Sequence, residues 1–238
     1  MKSNDLQLKN RGYLSDNDLN SFKSLSESDL LQLLINGAPH ERTAGIKLLS
    51  RTKNVQYLPN FCSILLKEKK LYVKLALCEA FVILGNDSIP SLVPLMGKIG
   101  NNQHKIIKLI DLNKNSFPLP RDIIARILIR FGTSVLSFME TVLKEGEYCQ
   151  VTEAIDVIGH VAWNYNDYSK EKILIDLYKN STDNLIRWKL VRSFQSFISD
   201  SISNILETII KNDPNEIIRK EAKRSIDRIT IRKSRCGS

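Results

Sequence analysis

Glycine, proline and cysteine are scarce in this chain. Its 238 residues include 10 Gly, 7 Pro and 4 Cys. Because so few glycines and prolines are present, long helices can run uninterrupted. The cysteines, Cys62, Cys78, Cys149 and Cys236, are widely separated, and no CxxC or Cys/His ligand spacing accompanies them. This spacing argues against a metal site and against a disulfide framework.

Long apolar runs are also missing. The opening segment MKSNDLQLKNRGYLSDND has no apolar core of the kind that a secretory signal needs. No uninterrupted apolar stretch of about 18 residues follows it, as a membrane span would require. We therefore expect no membrane partner and a cytoplasmic protein.

Recognisable catalytic motifs are absent from the sequence. The three histidines, His40, His104 and His160, lie far apart, and no HExxH helix, phosphate-cradling glycine loop or Ser/His/Asp order accompanies them. We expect no catalytic residue, no metal and no small-molecule cofactor. His160 has Asp156 one helical turn away. The two side chains can form a hydrogen-bonded pair, but the preferred interpretation is an ordinary surface pair.

The chain does contain a thirteen-residue helical pattern that recurs six times. The copies read ERTAGIKLLSRTK, VKLALCEAFVILG, PRDIIARILIRFG, QVTEAIDVIGHVA, IRWKLVRSFQSFI and IRKEAKRSIDRIT. Their starts are separated by 32, 47, 30, 36 and 32 residues. Apolar or small residues at the fourth or fifth, eighth, ninth and twelfth positions form a one-sided stripe. A helical unit repeated at this period predicts an α-solenoid.

A second helical run precedes each copy, so six antiparallel helix pairs are predicted. The preceding runs are 26–35, 55–67, 89–99, 135–144, 170–179 and 201–211. Turn-forming residues such as Gly85-Asn86-Asp87 separate the runs. This pattern divides the chain into a polar N-terminal segment (1–25), a repeat domain (26–230) and a basic C-terminal tail (231–238). We expect the N-terminal segment to be partly disordered, with one short helix around 16–25.

The repeats resemble HEAT repeats, particularly the short type found in phycobilisome-lyase-like proteins. An apolar residue followed by a basic one opens the helix, and small residues follow. The pairs are Val73-Lys74, Ile186-Arg187, Ile218-Arg219 and, in variant form, Pro120-Arg121. The fourth copy departs, with Val151 in the basic position. The resemblance implies an all-α, armadillo-like superhelix that binds partners through a concave surface lined by its second helices.

The basic residue at the second position of each copy has an expected structural role. In such repeats it joins a polar ladder with an acidic or amide residue at the preceding turn. Asn36, Glu68, Asn115, Glu145, Ser181 and Asp213 stand six positions earlier. We therefore assign Arg42, Lys74, Arg121, Arg187 and Arg219 to structure rather than to ligand binding.

The seventh and eleventh positions share a helix face outside the apolar stripe and are mostly basic. If the resemblance holds, they look into the concave groove. The predicted partner-binding residues are Lys47, Arg51, Arg126, Arg130, His160, Arg192, Arg224 and Arg228, together with Trp188 at an expected exposed position. Glu79 and Asp156 interrupt this basic face. A solvated face that keeps the repeat soluble is the alternative interpretation.

The longest interval between copies indicates an insertion near residues 100–119. It is mildly basic, with His104, Lys105 and Lys108. An insertion of this kind forms a loop on one rim of a repeat array, and such loops often carry specificity. We expect these three residues to contact the partner; a harmless insertion is the alternative. The basic C-terminal copy is interpreted as a polar cap that closes the array, with nucleic-acid contact as the alternative.

A net charge of +9 favours acidic partners. The leading interpretation is a non-catalytic scaffold or adaptor that binds a protein or acidic peptide. Nucleic-acid binding is the alternative, including a resemblance in architecture to DNA-alkylation-repair glycosylases, for which Asp156, Trp163 and Trp188 are the nearest candidates. A lyase or chaperone acting on a tetrapyrrole-bearing protein rests on the family resemblance alone.

Overall fold

The protein is all-helical throughout the residues that the structure, a computed structural model, describes: 4–107 and 117–236. The predicted all-α class is confirmed. The chain divides into two compact units, Met1–Leu95 (unit 1) and Met96–Ser238 (unit 2). Each unit has its own set of packed helices.

Unit 1 contains two of the predicted helix pairs. Its helices are α1 (Asp5–Asn10), α2 (Asp16–Asn20), α3 (Glu27–Asn36), α4 (Pro39–Arg51), α5 (Leu58–Lys67), α6 (Leu71–Leu84) and α7 (Ile89–Leu92). Helix α3 packs against α4, α5 against α6, and α4 against α6. Ser26 caps α3 through the backbone N–H of Asp29, and Gly85 ends α6 with a φ of 77°.

The N-terminal segment contains two short helices where the sequence indicated one. Leu14 and Leu19 are buried in a cluster with Ala44 of α4. Thr43 donates a hydrogen bond from its hydroxyl to the carbonyl of Gly12 at 2.7 Å. Apolar burial and this hydrogen bond hold the segment on α4. The segment is therefore more ordered than its polar composition indicates.

The run predicted as a helix over 89–99 is much shorter in the structure. Helix α7 ends at Leu92 and a 3₁₀ turn continues only to Leu95. Pro94 has no N–H to donate to the carbonyl four residues earlier, so the helix cannot continue regularly. The stretch Leu71–Leu95 is long and apolar enough, by length and composition, to cross a membrane. The break at Gly85 and the burial of Leu77, Phe81 and other α6 side chains are features of a core helix.

Unit 2 contains three complete pairs and one additional short helix. Its helices are α8 (Ile123–Leu128), α9 (Leu136–Glu145), α10 (Tyr148–Tyr165), α11 (Glu171–Asn180), α12 (Asn184–Phe194), α13 (Asp200–Asn212) and α14 (Glu216–Cys236). Helices α9, α11 and α13 pack against α10, α12 and α14 respectively, and α12 packs against both α10 and α14. The third predicted pair is divided, because α7 belongs to unit 1 and α8 to unit 2. Most of the predicted basic tail belongs to helix α14.

The polar ladder exists, but its acidic partner comes from the next repeat. Arg42 forms an ion pair with Glu68 at 2.8 Å, and Arg187 pairs with Asp213. Each pair spans 26 residues. Six positions before Arg219, it is the backbone carbonyl of Asp213 that accepts its hydrogen bond. These three arginines are engaged within the fold, and the ladder joins successive helix pairs.

Candidate functional site

The predicted partner-binding positions of unit 1 lie on α4 and α6. Arg51 is exposed and Lys47 is half-buried on α4. At the equivalent positions of α6, Glu79 and Ile83 are exposed. Leu75, one helical turn before Glu79, is also exposed. Helix α4 therefore presents basic side chains, and α6 presents Leu75 and Ile83 on either side of the acidic Glu79.

In unit 2, the predicted basic positions differ widely in accessibility. Arg126 and Arg130, at α8 and the turn after it, are exposed. Arg126 donates from Nε to the carbonyl of Pro120 at 2.6 Å, so its guanidinium is partly committed to the backbone. Arg224 and Arg228 of α14 are half-buried, and Arg224 donates two hydrogen bonds to Glu221 Oε1, at 2.8 and 2.6 Å.

Trp188 and Arg192 of α12 are buried, contrary to the expectation that they face an open groove. Trp188 is fully buried and Arg192 is 3% exposed. The Trp188 indole N–H donates to Glu221 Oε2 at 3.0 Å, and the Arg192 guanidinium lies 5.0 Å from the indole centroid. The ring of His104 packs edge-on against the Trp188 ring, with centroids 5.1 Å apart. The insertion thus helps to cover a face that the sequence predicted to be open.

The start of the insertion packs against α12 within unit 2 rather than forming an open rim loop. His104 is buried, whereas Lys105 is exposed; Lys108 lies outside the described residues. At the other end of the insertion, the buried Phe117 lies against the ring of His160, with centroids 6.1 Å apart. A Cβ on Gly159 would come within 2.6 Å of Phe117 Cζ, so glycine is what lets the ring approach α10.

Beneath the insertion, Lys189 of α12 joins two acidic residues of α10. Its Nζ lies 2.9 Å from Glu153 Oε1 and 3.0 Å from Asp156 Oδ2. It also donates to the carbonyl of Thr152 at 2.9 Å. Lys189 has no exposed surface and Glu153 is 1% exposed. A charge so thoroughly removed from water persists only when it is paired and hydrogen-bonded.

The predicted surface pair of Asp156 and His160 is wrong. Asp156 is buried and paired with Lys189. His160 is half-buried beside Phe117, and its Nδ1 accepts or donates no hydrogen bond among the described residues. Burial lowers the pKa of His160 below its ordinary value. The two residues are one turn apart on α10, but the buried lysine engages the carboxylate.

The protonation of the buried cluster follows from burial and neighbouring charge. Burial raises the pKa of Glu153 to about 7, even though Lys189 opposes the shift. Burial alone would raise the pKa of Asp156 as well, but Lys189 and Arg192 together hold it below its ordinary value. Burial lowers the pKa of His104 to about 4, so this histidine is neutral near pH 7.

The sequence contained a signal for this cluster that periodicity alone did not reveal. The fourth position of the pattern holds Glu153, Lys189 and Glu221 in the last three copies. All three side chains are buried. Acid, base and acid at one buried position of successive packed helices predict charge pairing across them.

No protein-family profile and no curated protein matches this chain. Within the described residues, no group of three or more His, Cys, Asp or Glu side chains is placed to hold a metal ion. The described residues contain two candidate sites: the exposed face of α4 and α6 in unit 1, and the buried polar cluster with its covering segment in unit 2.

Proposed function

We propose that this chain is a HEAT-type α-solenoid protein that binds an acidic, partly apolar peptide segment of a partner protein on unit 1. The side-by-side packing of the second helices supports the repeat architecture: α4 with α6, and α12 with both α10 and α14. The ladder pairs Arg42–Glu68 and Arg187–Asp213, equal in spacing, support it as well.

The observation that carries the peptide proposal is the composition of the face on α4 and α6. Leu75 is 49% exposed and Ile83 is 41% exposed. Lys47 and Arg51 occupy the basic positions of the neighbouring helix. A partner with apolar residues would bury these two aliphatic side chains, which favours binding. The two cations would attract carboxylates of the same partner. The phosphate backbone of a nucleic acid would contact the basic residues but would leave the leucine and the isoleucine exposed to water.

The exposure of Arg126 and Arg130 favours nucleic acid as a second candidate ligand, because two exposed guanidinium groups suit phosphates. The residues nearest to a glycosylase arrangement are engaged elsewhere. Asp156 pairs with Lys189, and Trp188 is packed between His104 and the carboxylate of Glu221. Any nucleic-acid contact in unit 2 therefore starts from the α8 arginines.

The test is selection of a random 12-residue peptide library on the full chain, followed by measurement of dissociation constants for the selected peptides. We expect selected peptides to combine Asp or Glu with Leu, Ile or Phe. Reversing Lys47→Glu and Arg51→Glu together should weaken binding about tenfold or more. Leu75→Asp should weaken peptide binding to a similar extent. It adds a carboxylate beside that of Glu79, and both would repel the acidic groups of the peptide.

The matched control reverses two exposed lysines elsewhere in unit 1, Lys69→Glu and Lys70→Glu, which changes the net charge by the same amount. This variant should bind as the parent does. Equal loss in the control would mean that total charge governs binding and would defeat the assignment to the α4 and α6 face. Tight, strongly salt-dependent binding of a random DNA duplex, lost in Arg126→Glu/Arg130→Glu, would replace peptide with nucleic acid.

A further inference from the structure

Unit 2 contains a cavity of about 340 Å³ beside the N-terminal parts of α10 and α12. Residues that line it include Gly100, His104, Tyr148, Cys149, Glu153 and Leu185. Its walls come from the start of the insertion, from α10 and from the first turn of α12. One water molecule occupies about 30 Å³ in the liquid, so the cavity has room for a small organic molecule.

Glu153, which lines this cavity, has one carboxylate oxygen without a hydrogen-bond donor among the described residues. Its Oε1 accepts from Lys189 at 2.9 Å. Its Oε2 is buried and accepts no hydrogen bond from the described residues. A buried carboxylate oxygen without a donor is unfavourable, because it has lost its hydrogen bonds to water. A ligand that donates a hydrogen bond to this carboxylate from within the cavity would remove that penalty.

One lysine, Lys189, is shared by two buried carboxylates, those of Glu153 and Asp156. Arg192 assists Asp156, whereas the neighbouring carboxylates of Asp156 and Asp122 act against ionisation of Glu153. A positive charge in the cavity would stabilise the ionised carboxylate of Glu153. The buried cluster therefore favours a cationic ligand over a neutral or anionic one.

We propose that this cavity binds a small organic cation with N–H donors, a primary ammonium or guanidinium group, on the Glu153 carboxylate. The site lies wholly within unit 2. It is independent of the peptide face proposed for unit 1, and either proposal can fail without the other.

Protons compete with this ligand. Because burial raises the pKa of Glu153 to about 7, the carboxylate is increasingly protonated as the pH falls below that value. The groups that face it are Lys189 of α12, Asp156 of α10 and Asp122 before α8. His104, beside Asp156, has a pKa of about 4 and stays neutral over this range. Cation affinity should therefore fall about tenfold for each pH unit below about 7.

The experiment titrates the full chain with methylguanidinium and measures two quantities: calorimetric affinity, and the rate at which iodoacetamide alkylates Cys149, determined by mass spectrometry. Cys149 lines the cavity, so its alkylation rate reports occupancy locally. We expect a dissociation constant of about a millimolar, as suits a ligand of so few atoms. We also expect several-fold slower alkylation of Cys149 at saturation. Tetramethylammonium, which has the charge but no N–H donor, should produce neither effect.

Two variants connect the effect to Glu153. Glu153→Gln should abolish methylguanidinium binding while its circular dichroism stays helical. If that variant fails to fold, Lys105→Glu serves instead. This exposed residue lines the cavity, and reversing its charge should raise the affinity several-fold. Unchanged Cys149 alkylation in the parent at pH 8, equal binding of tetramethylammonium, or full affinity in folded Glu153→Gln would overturn the proposal; water alone would then fill the cavity.

Discussion

The two units bury different side chains at the same position of the same helical pattern. In unit 1 the fourth position holds Ala44 and Ala76, both buried. In unit 2 the last three copies hold Glu153, Lys189 and Glu221 there. Alanine lets neighbouring helices approach with no further requirement. Charged residues at that position require partners. Lys189 of α12 pairs with Glu153 of α10, and Glu221 pairs with Arg224 of its own helix and accepts from the Trp188 indole. One pattern therefore supports an apolar core in unit 1 and a polar one in unit 2.

Lys189→Met should break the polar core most severely. It leaves the buried carboxylates of Glu153 and Asp156 without their shared cation, so the free energy of unfolding should fall by about 3–5 kcal/mol at pH 8. Urea unfolding followed by circular dichroism measures the change. Lys47→Met, the removal of a half-buried lysine from unit 1, is the control and should change stability by about 0.5 kcal/mol or less. Similar losses in both variants would contradict the comparison.

Gly159→Ala should loosen the segment that covers the polar core. The new Cβ would lie 2.6 Å from Phe117 Cζ and 2.9 Å from Ser193 Cβ. Such overpacking lowers the free energy of unfolding by about 1–3 kcal/mol. Thermal unfolding measures the loss, and proteolysis of the insertion should accelerate. Adding Phe117→Leu should recover part of the stability by making room. No recovery would show that Phe117 is not the neighbour that matters.

The ladder offers the same substitution in both units. Arg42→Met and Arg187→Met each remove the cation from a buried carboxylate, that of Glu68 or Asp213. Both acids keep other donors: Glu68 accepts from the N–H groups of Lys69 and Lys70, and Asp213 from Tyr178 and Asn215. We expect each variant to lose about 1–2 kcal/mol in urea unfolding. A loss in one unit alone would show that the ladder is not an equivalent device in both.

The pH dependence of stability should separate two opposing groups in unit 2. The folded-state pKa of Glu153 is raised to about 7, so its titration reduces stability as the pH rises from about 4.5 to 7. The folded-state pKa of His104 is lowered to about 4, so its titration reduces stability as the pH falls from about 6.5 to 4. In the parent chain these slopes oppose each other.

Single variants should reveal each slope. Glu153→Gln should leave a free energy of unfolding that rises with pH between 4 and 6.5. In His104→Asn, the free energy of unfolding should fall as the pH rises towards 7. Each slope should be about 1 kcal/mol per pH unit or less. Chemical unfolding at four pH values measures both. His160, whose pKa burial also lowers, contributes equally to the two variants, so identical slopes in the two would refute the assignment.

Much of the helical framework was predictable because its cause is local. The stripe in Val73–Gly85 and its equivalents requires a helix with one buried face, and α6, α10 and α14 follow it. The structural role of Arg42 and Arg187 was also predictable. Their partners were not, because Glu68 and Asp213 come near only when successive repeats pack. Pro94 indicates that the helix predicted over 89–99 ends early. The surrounding apolar residues favoured a longer helix and obscured that indication.

The candidate site was less predictable. Arg51 and Arg126 are exposed as expected. Trp188 and Arg192 have the same kind of local sequence and are buried. Their burial depends on where His104 and the rest of the insertion's described residues pack, and helix periodicity carries no information about that contact.

The sequence by itself determined the all-helical class, the positions of most helices and the basic character of the chain. These follow from residue spacing and composition, which act along the chain. Only the tertiary structure decided which charged residues are removed from water, because that depends on which segments pack over them. Glu153, Lys189 and Glu221 are ordinary helical residues in the sequence. They form a buried polar core because α10, α12 and α14 pack side by side and the insertion's His104 lies against them.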